Sequence, residues 1–230
     1  MTIALIIPTL NEAATIGRTL TQAVAQGFDE IIVSDGGSTD PTPAMVQACC
    51  DRVPSARLVT ASPGRARQMN AGAAASRSDV LLFLHADTEL PPNAKALIEA
   101  TLFDPNAVSG RFDVRFDRPS RWGRMISWFM NRRSRMTGIA TGDQAIFVRR
   151  SVFDRLGGFT DIPLMEDIDF SRRIKRHGTM AAVPEPVITS FRRWEQNGPL
   201  RTILLMWTLR FLYWLGVSPH HLNRWYRTVR

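Results

Sequence analysis

Cysteine is nearly missing from this chain. The two present, Cys49 and Cys50, are adjacent and so are poorly placed to staple distant segments. They read as reduced thiols, which points to a reducing, cytoplasmic compartment, and a lone pair lacks the ligand count of a zinc site. Lysine is scarce as well: only Lys95 and Lys175 occur, so arginine carries nearly all of the formal net charge of +8. That balance calls for an anionic partner, whether nucleic acid, a membrane surface or a phosphate-bearing small molecule. Long apolar runs are absent too. Thr202–Val217 falls short of the about 20 residues that a bilayer crossing needs, and Arg210 interrupts it. The N-terminal "MTIALIIPTLNE" has no basic residue before its short apolar run and reads as a first strand, not an export signal. No internal repeat or low-complexity linker divides the chain, and 44% of its 230 residues are hydrophobic, enough for one sizeable core.

What is present is a repeated plan. "TIALIIP" is a short isoleucine-rich run, as expected of a strand buried on both faces. Asn11 follows as a helix N-cap before "EAATIGRTLTQAVAQ". "EIIVSDGGSTDPT" gives a strand, a glycine-rich turn and a helix from about Pro41; "ARLVTA" and "GRARQMNAGAAAS" give a third pair, "DVLLFLHAD" and "PPNAKALIEATLF" a fourth. Strand–helix alternation predicts an α/β fold with a mostly parallel central sheet and helices on both faces, which binds its ligand beyond the carboxyl ends of the strands. The second half is less regular. "AVSGRFDVRF" alternates like a half-exposed strand, "RWGRMISWFMNRRSRM" is a basic aromatic helix, "GDQAIFVRR" is a strand, "SVFDRLGGF" a short helix closed by glycines, and "MEDIDFSRRIKRHG" a helix that opens on acids and closes on bases. "MAAVPEPVITS" is a last strand interrupted by prolines.

Carboxylates stand at the strand ends. Asp87 closes an apolar run, where an unpaired charge is costly to desolvate. It either caps the following helix or meets a divalent ion bridging to phosphate oxygens. Asp35, in "VSDGGSTD", either organises its turn or accepts hydrogen bonds from a base or ribose. Glu166, Asp167 and Asp169 suit a helix N-terminus, but Glu166 and Asp169 share a flank while Asp167 points elsewhere. One acid can then brace the helix while another faces a substrate, and clustered carboxylates raise one another's pKa as a general base requires. Arg65 and Arg67 open a helix against its dipole, so they either face solvent or meet a neutralising anion. Arg193 and Trp194 could grip a phosphate and stack on a ring, or equally form a surface anchor.

In this order the segments "IIPTLNEAATI", "VSDGGSTDPT", "GRARQMNAGAAAS", "LLFLHADTELPP", "GDQAIFVRRSVFDRLGGF", "MEDIDFSRRIKRHG" and "RRW" resemble the family 2 glycosyltransferases, and more narrowly their small members associated with arsenosugar biosynthesis. The resemblance implies the GT-A fold, a Rossmann-like nucleotide-sugar-binding architecture, as a catalytic domain over residues 1–194 followed by a helical, basic tail over 195–230. It implies an inverting, metal-dependent transfer of sugar from a UDP- or GDP-sugar to an acceptor hydroxyl. Pro8, Thr9, Glu12 and Asp35 would hold the nucleoside, and Arg67 and Asn70 would approach base, ribose or diphosphate. Ala86 and Asp87 stand in the metal motif, with Asp87 on Mg²⁺ or Mn²⁺. Asp167 would be the general base beside Glu166, and Arg193 and Trp194 would lie near diphosphate and acceptor. Three departures stand out: Gly36 replaces the second acid of the commoner "DDGS", His85 replaces the first acid of the DxD motif, and Ser190 replaces the glutamine of "QxxRW", which argues against a processive synthase.

The tail leaves two expectations: a helix packed on the catalytic domain or on a second subunit of a homodimer, or a helix in the membrane interface. The six arginines from Arg118 to Arg135, mixed with Trp122, Trp128 and Phe129, would favour anionic lipid on the inner face of the membrane and suit a lipid-linked acceptor. The competing readings are a nucleotidyltransferase and a basic binding module without activity. No nucleic-acid reader motif is present, so nucleic acid is not expected as a partner.

Overall fold

Seven apolar or small residues in a row make β1 (Ile3–Thr9) a strand that can be buried on both faces. Its alternate side chains enter two cores: Ile3, Leu5 and Ile7 on one face of the sheet, Ala4 and Ile6 on the other. The computed structural model describes residues 1–228, leaving aside the side chains of Arg193, Arg227 and Thr228. The chain continues through α1 (Ile16–Ala25), β2 (Glu30–Asp35), α2 (Thr42–Cys50), β3 (Ala56–Thr60), α3 (Arg65–Ala75), β4 (Val80–Phe83), the two-residue β5 (Thr88–Glu89) and α4 (Ala94–Thr101). The second half holds β6 (Ala107–Phe116), α5 (Arg121–Thr137), a 3₁₀ turn at Gly142–Gln144, β7 (Phe147–Arg149), α6 (Arg150–Arg155), α7 (Glu166–Ile174), β8 (Thr179–Thr189), α8 (Arg192–Asn197), α9 (Pro199–Trp214) and α10 (Pro219–Thr228).

The sheet runs β3-β2-β1-β4-β7-β6-β8-β5. The first four strands are mutually parallel, β7 is antiparallel to both neighbours, β8 is parallel to β6, and β5 is antiparallel to β8. Helices α1, α2 and α4 cover one face through Ile16, Leu20, Val46 and Ile98; α3, α6 and α7 cover the other through Met69, Phe153 and Phe170. The register sets Thr9 opposite Asp35 and Ile6 opposite Phe83, so the ends of β1, β2 and β4 reach the same edge. Pro184 and Pro186 fall where the β6–β8 register shifts, between the Phe112–Val183 and Asp113–Pro186 pairs. A bulge there accommodates residues that cannot donate to the ladder.

Three local expectations need correction. "AVSGRFDVRF" is not half-exposed: β6 is buried at every position but Arg115, because its polar residues Arg111 and Asp113 pair with each other and with Arg135 of α5. Asn11 does not cap α1: the helix begins at Ile16, and Asn11 adopts a left-handed φ of 57°. Its side chain instead accepts the Thr39 N–H at 2.9 Å, so a contact with the β2 loop outweighs the local cap. "GDQAIFVRR" is a strand only from Phe147, because Gly142–Gln144 closes a 3₁₀ turn through a capping box with Thr141.

Helix α5 hangs on β6 by polar contacts. Asn131 accepts from Val114 N–H at 2.9 Å and donates to its carbonyl at 3.0 Å, and Arg135 pairs with Asp113 at 2.7 Å. Asp113 also pairs with Arg111, which is 1% exposed. Helix α9 is apolar on two sides, which is why its polarity shows no clean stripe. Leu205, Leu209 and Leu212 pack inward on Met165, Ile168 and Leu222. Among the described residues, no helix is long and apolar enough to cross a membrane.

At Gly110 of β6 a Cβ would collide with the Phe147 ring. Gly110→Ala is therefore expected to lower unfolding stability by about 1–3 kcal/mol, read as a lower urea midpoint with an unchanged slope.

Candidate active site

The loops after β1 and β2 are clasped together. The Asn11 N–H donates to Ser38 Oγ at 2.8 Å, Glu12 N–H to Thr42 Oγ1 at 2.8 Å, and Ala13 N–H to Asp40 at 3.0 Å. Asp35 is buried and wholly engaged by this arrangement, accepting from Thr9 Oγ1, Gly37 N–H, Ser38 N–H and Ser38 Oγ. Its carboxylate shapes the turn and does not line the cleft below. At Gly36, a Cβ would lie 2.9 Å from the Gln68 carboxamide. Gln68 donates to the Thr9 and Ser34 carbonyls from α3, so glycine there is what lets α3 close on the two loops. Asn70 is likewise structural: it accepts the Phe159 N–H at 2.9 Å and donates to the Phe159 carbonyl at 2.8 Å.

Beyond this edge lies a cleft of about 1480 Å³, lined by Pro8, Thr9, Glu12, Arg67, Ala86, Asp87 and Trp194 among the expected residues. β4 ends at Phe83, and the following residues swing into the cleft. The Ala86 carbonyl accepts Thr19 Oγ1 at 2.7 Å, which anchors this segment to α1. Among the described residues Asp87 has only a long contact of 3.5 Å from Thr88 Oγ1. Burial pushes the Glu12 carboxyl up, and the negative charge of Asp87 adds to this, against the hydrogen bond from Thr15 and the charges of Arg192 and His85. Two hard oxygen donors that repel each other across one space suit a divalent ion such as Mg²⁺ or Mn²⁺. Among the described residues no cluster of three or more metal-binding side chains occurs. An ion held here would complete its shell from phosphate oxygens and water, as Mg²⁺ commonly does. His85, at the first motif position, also lines the cleft: its Nδ1 lies 3.2 Å from Asp143, and its Nε2 is buried against Gly142.

A recess of about 10 Å³ adjoins the cleft at Pro8, Arg65 and His85, and holds Glu166 and Asp167. The three acids at the start of α7 divide as their helical positions require. Asp169 braces the helix, accepting from Thr160 Oγ1 at 2.6 Å and pairing with Arg173 at 2.8 Å. Glu166 is buried and faces Arg65 at 3.6 Å. Asp167 accepts the Gly142 N–H at 2.8 Å and the Ile168 N–H at 2.7 Å. Burial and then the charge of Glu166 raise its carboxyl to about 6, with the Gly142 N–H and Arg65 pulling the other way. Burial alone would lower Arg65, but Glu166, Asp143 and Asp167 hold it above the ordinary arginine value. Both arginines that open α3 thus find anions within the protein, since Arg67 meets Asp161 at 2.9 Å.

Trp194 stacks edge-on against Phe116, 5.9 Å between centroids, at the far wall of the cleft. The side chain of Arg193 lies outside the described residues. Sequence reasoning missed Gln68 and Arg133. Arg133 lines the cleft, and its Nε and Nη2 are buried with no partner among the described residues. Its only signal was membership of the arginine-rich α5, which could not single it out.

These features match known proteins. The model of glycosyl transferase family 2 matches residues 4–157. The β-monoglucosyldiacylglycerol synthase of Synechocystis is 24% identical over 85% of this chain and 46% of its own length, so the chain spans about half of that relative. A mannosyltransferase of Pyrobaculum calidifontis, solved with GDP-mannose and Mn²⁺, superposes with a TM-score of 0.65 at 23% identity, over 82% of this chain and 56% of that one. Staphylococcus aureus TarS, solved with UDP, gives 0.68 at 15% identity, over 83% and 60%. At such identities the superpositions establish the fold, which is the GT-A architecture of nucleotide-sugar enzymes, and the match over most of the chain establishes the kinship. The chain belongs to glycosyl transferase family 2.

Proposed function

We propose that this protein transfers a sugar from a nucleoside-diphosphate donor to an acceptor hydroxyl, with inversion at the anomeric carbon. The observation that carries this reading is the division of acids around one cleft. Glu12 and Asp87 face each other at the carboxyl edge of the sheet, while Asp167, raised to about 6, opens from the adjoining recess. Pro8 and Thr9 are the nucleoside contacts, together with Glu12. Asp35 and Asn70 act from behind, by holding the loop and α3 in place. Asp87 and Glu12 would hold Mg²⁺ or Mn²⁺, which as a Lewis acid neutralises the departing diphosphate. Arg67 and Trp194 lie along the same cleft, on the diphosphate and acceptor side.

Asp167 is the general base. A carboxyl near 6 is mostly ionised at neutral pH yet basic enough to accept an alcohol proton in the transition state. The Gly142 N–H fixes one of its oxygens. Glu166 is committed to Arg65, and Glu12 and Asp87 are assigned to the metal, so Asp167 acts alone as base in a single displacement that inverts the anomeric centre. The acceptor side of the cleft is walled by Met125, Trp128, Phe129, Met206 and Trp207. Such a wall suits a lipid-linked acceptor, in keeping with the lipid product named for the Synechocystis relative.

A panel of UDP-, GDP- and dTDP-sugars tests the donor site. At least one is expected to raise the melting temperature, and Mn²⁺ is expected to enlarge the shift; turnover should then release UDP or GDP, not pyrophosphate. If no sugar nucleotide stabilises the protein with or without metal, the donor site is misassigned.

Asp167→Asn is expected to keep the donor-induced shift while slowing transfer by roughly 10²–10⁴-fold. In the wild type, transfer should rise about tenfold per pH unit up to about pH 6 and then level, because the ionised carboxyl is the active form. The same raised pKa makes the fold hold a proton that the unfolded chain releases, so its contribution to stability is lost as pH rises towards about 6. Asp167→Asn should therefore melt higher than wild type at pH 7. Equal loss of donor binding and transfer would make Asp167 structural.

A further inference from the structure

Helix α9 turns its second apolar side to solvent. Leu200, Leu204, Trp207, Phe211 and Trp214 recur at alternating spacings of four and three, and all are exposed, Trp207 to 70% and Trp214 to 69%. Helix α5 presents Trp122, Trp128 and Phe129 in the same way. Trp128 and Phe129 from one helix and Trp207 from the other line the cleft, so the two apolar stripes meet at its mouth. His220 and Asn223 of α10 complete that rim. Exposed apolar surface of this extent marks a docking site.

Charge selects the occupant. Helices α5, α9 and α10 contain five, two and two arginines and not one acidic residue. A second copy meeting this face on itself would set cationic helices against cationic helices. Tryptophan, phenylalanine and leucine beside arginine, on a helix too short to span, are instead the composition of an element lying in the interface of an anionic bilayer. We propose that α5, α9 and α10 form a face that seats the protein on an anionic lipid surface, with the cleft opening at that face so that an amphiphilic acceptor enters from the lipid. The entry of the acceptor rests on the transferase reading above; the seating face does not.

Sedimentation of the full chain with vesicles of phosphatidylcholine containing phosphatidylglycerol, and with phosphatidylcholine alone, tests this. The protein is expected to pellet with the anionic vesicles, to stay largely in solution with the neutral ones, and to be released by added salt. Leu204→Ser/Phe211→Ser/Trp214→Ser removes exposed side chains that do not line the cleft. It should lower partitioning by roughly 10²-fold or more while keeping the wild-type melting temperature and donor-induced shift. Arg121→Gln/Arg124→Gln, with the apolar stripe intact, should narrow the preference for anionic over neutral vesicles. Wild type that stays in solution with both vesicle types overturns the proposal. So does lipid-free self-association in the ultracentrifuge that the triple variant abolishes, which would make the face a contact between copies. Failure to bind vesicles with the donor shift intact removes the seating face alone; vesicle binding without any donor shift removes the donor site alone and supports the face.

Discussion

Like charges gathered in a poorly solvated space are the constraint on which this structure depends. Glu12, Asp87, Glu166 and Asp167 border one cleft and its recess, and each is managed differently. Glu166 takes Arg65 as counter-ion. Asp167 takes a backbone N–H from Gly142 and shares in the field of Arg65, which leaves it ionisable but weakly acidic. Glu12 accepts Thr15 Oγ1 and feels Arg192 and His85, yet burial and the charge of Asp87 still raise it, a repulsion that a bound cation would relieve. The fold supplies the positions: parallel strands bring Thr9 and the segment after Phe83 to one edge, and α7 enters from across the cleft.

Arginine does a second job in this chain besides neutralising those acids. Arg111 is buried within the sheet on Asp113, Arg135 reaches the same acid from α5, and Arg173 braces Asp169. The planar guanidinium serves all three because it pairs with carboxylates in a defined geometry and stays charged when buried. A chain with lysine at these places would lose that fork. Of the other arginines of α5, Arg121, Arg124 and Arg132 are exposed while Arg133 has its Nε and Nη2 buried at the cleft, so one residue type both holds α5 to the sheet and gives its exposed side its charge.

Much of the fold was legible in the sequence. Buried runs such as "IALIIPT" and "VLLF" announced strands, and their alternation with helices implied parallel pairing. The pairing of β6 with both β7 and β8 was not legible, since it joins segments far apart in the chain and no local pattern encodes it. Asn11 shows the same limit at one residue: its local sequence predicts a cap on α1, but that cap is Thr15, and the Asn11 oxygen accepts from Thr39 across to the β2 loop. Within the site, the carboxylates of "HAD" and "MED" were readable from their strand-end and helix-start positions. The closeness of Glu12 to Asp87 was not, nor was the placing of Gln68 over Gly36, because both arise only when separate loops close together.

Helix α9 has a consequence that reaches the chemistry. Its outward side carries Phe211 and Trp214, while its inward side covers Met165 and Ile168, the residues that flank Glu166 and Asp167. A rotation of α9 about its own axis would thus loosen the roof over α7 and admit water beside Asp167. Its carboxyl would then become more acidic and a poorer proton acceptor. The proton affinity of Asp167 is in this way tied to how firmly an outer helix is pressed into place.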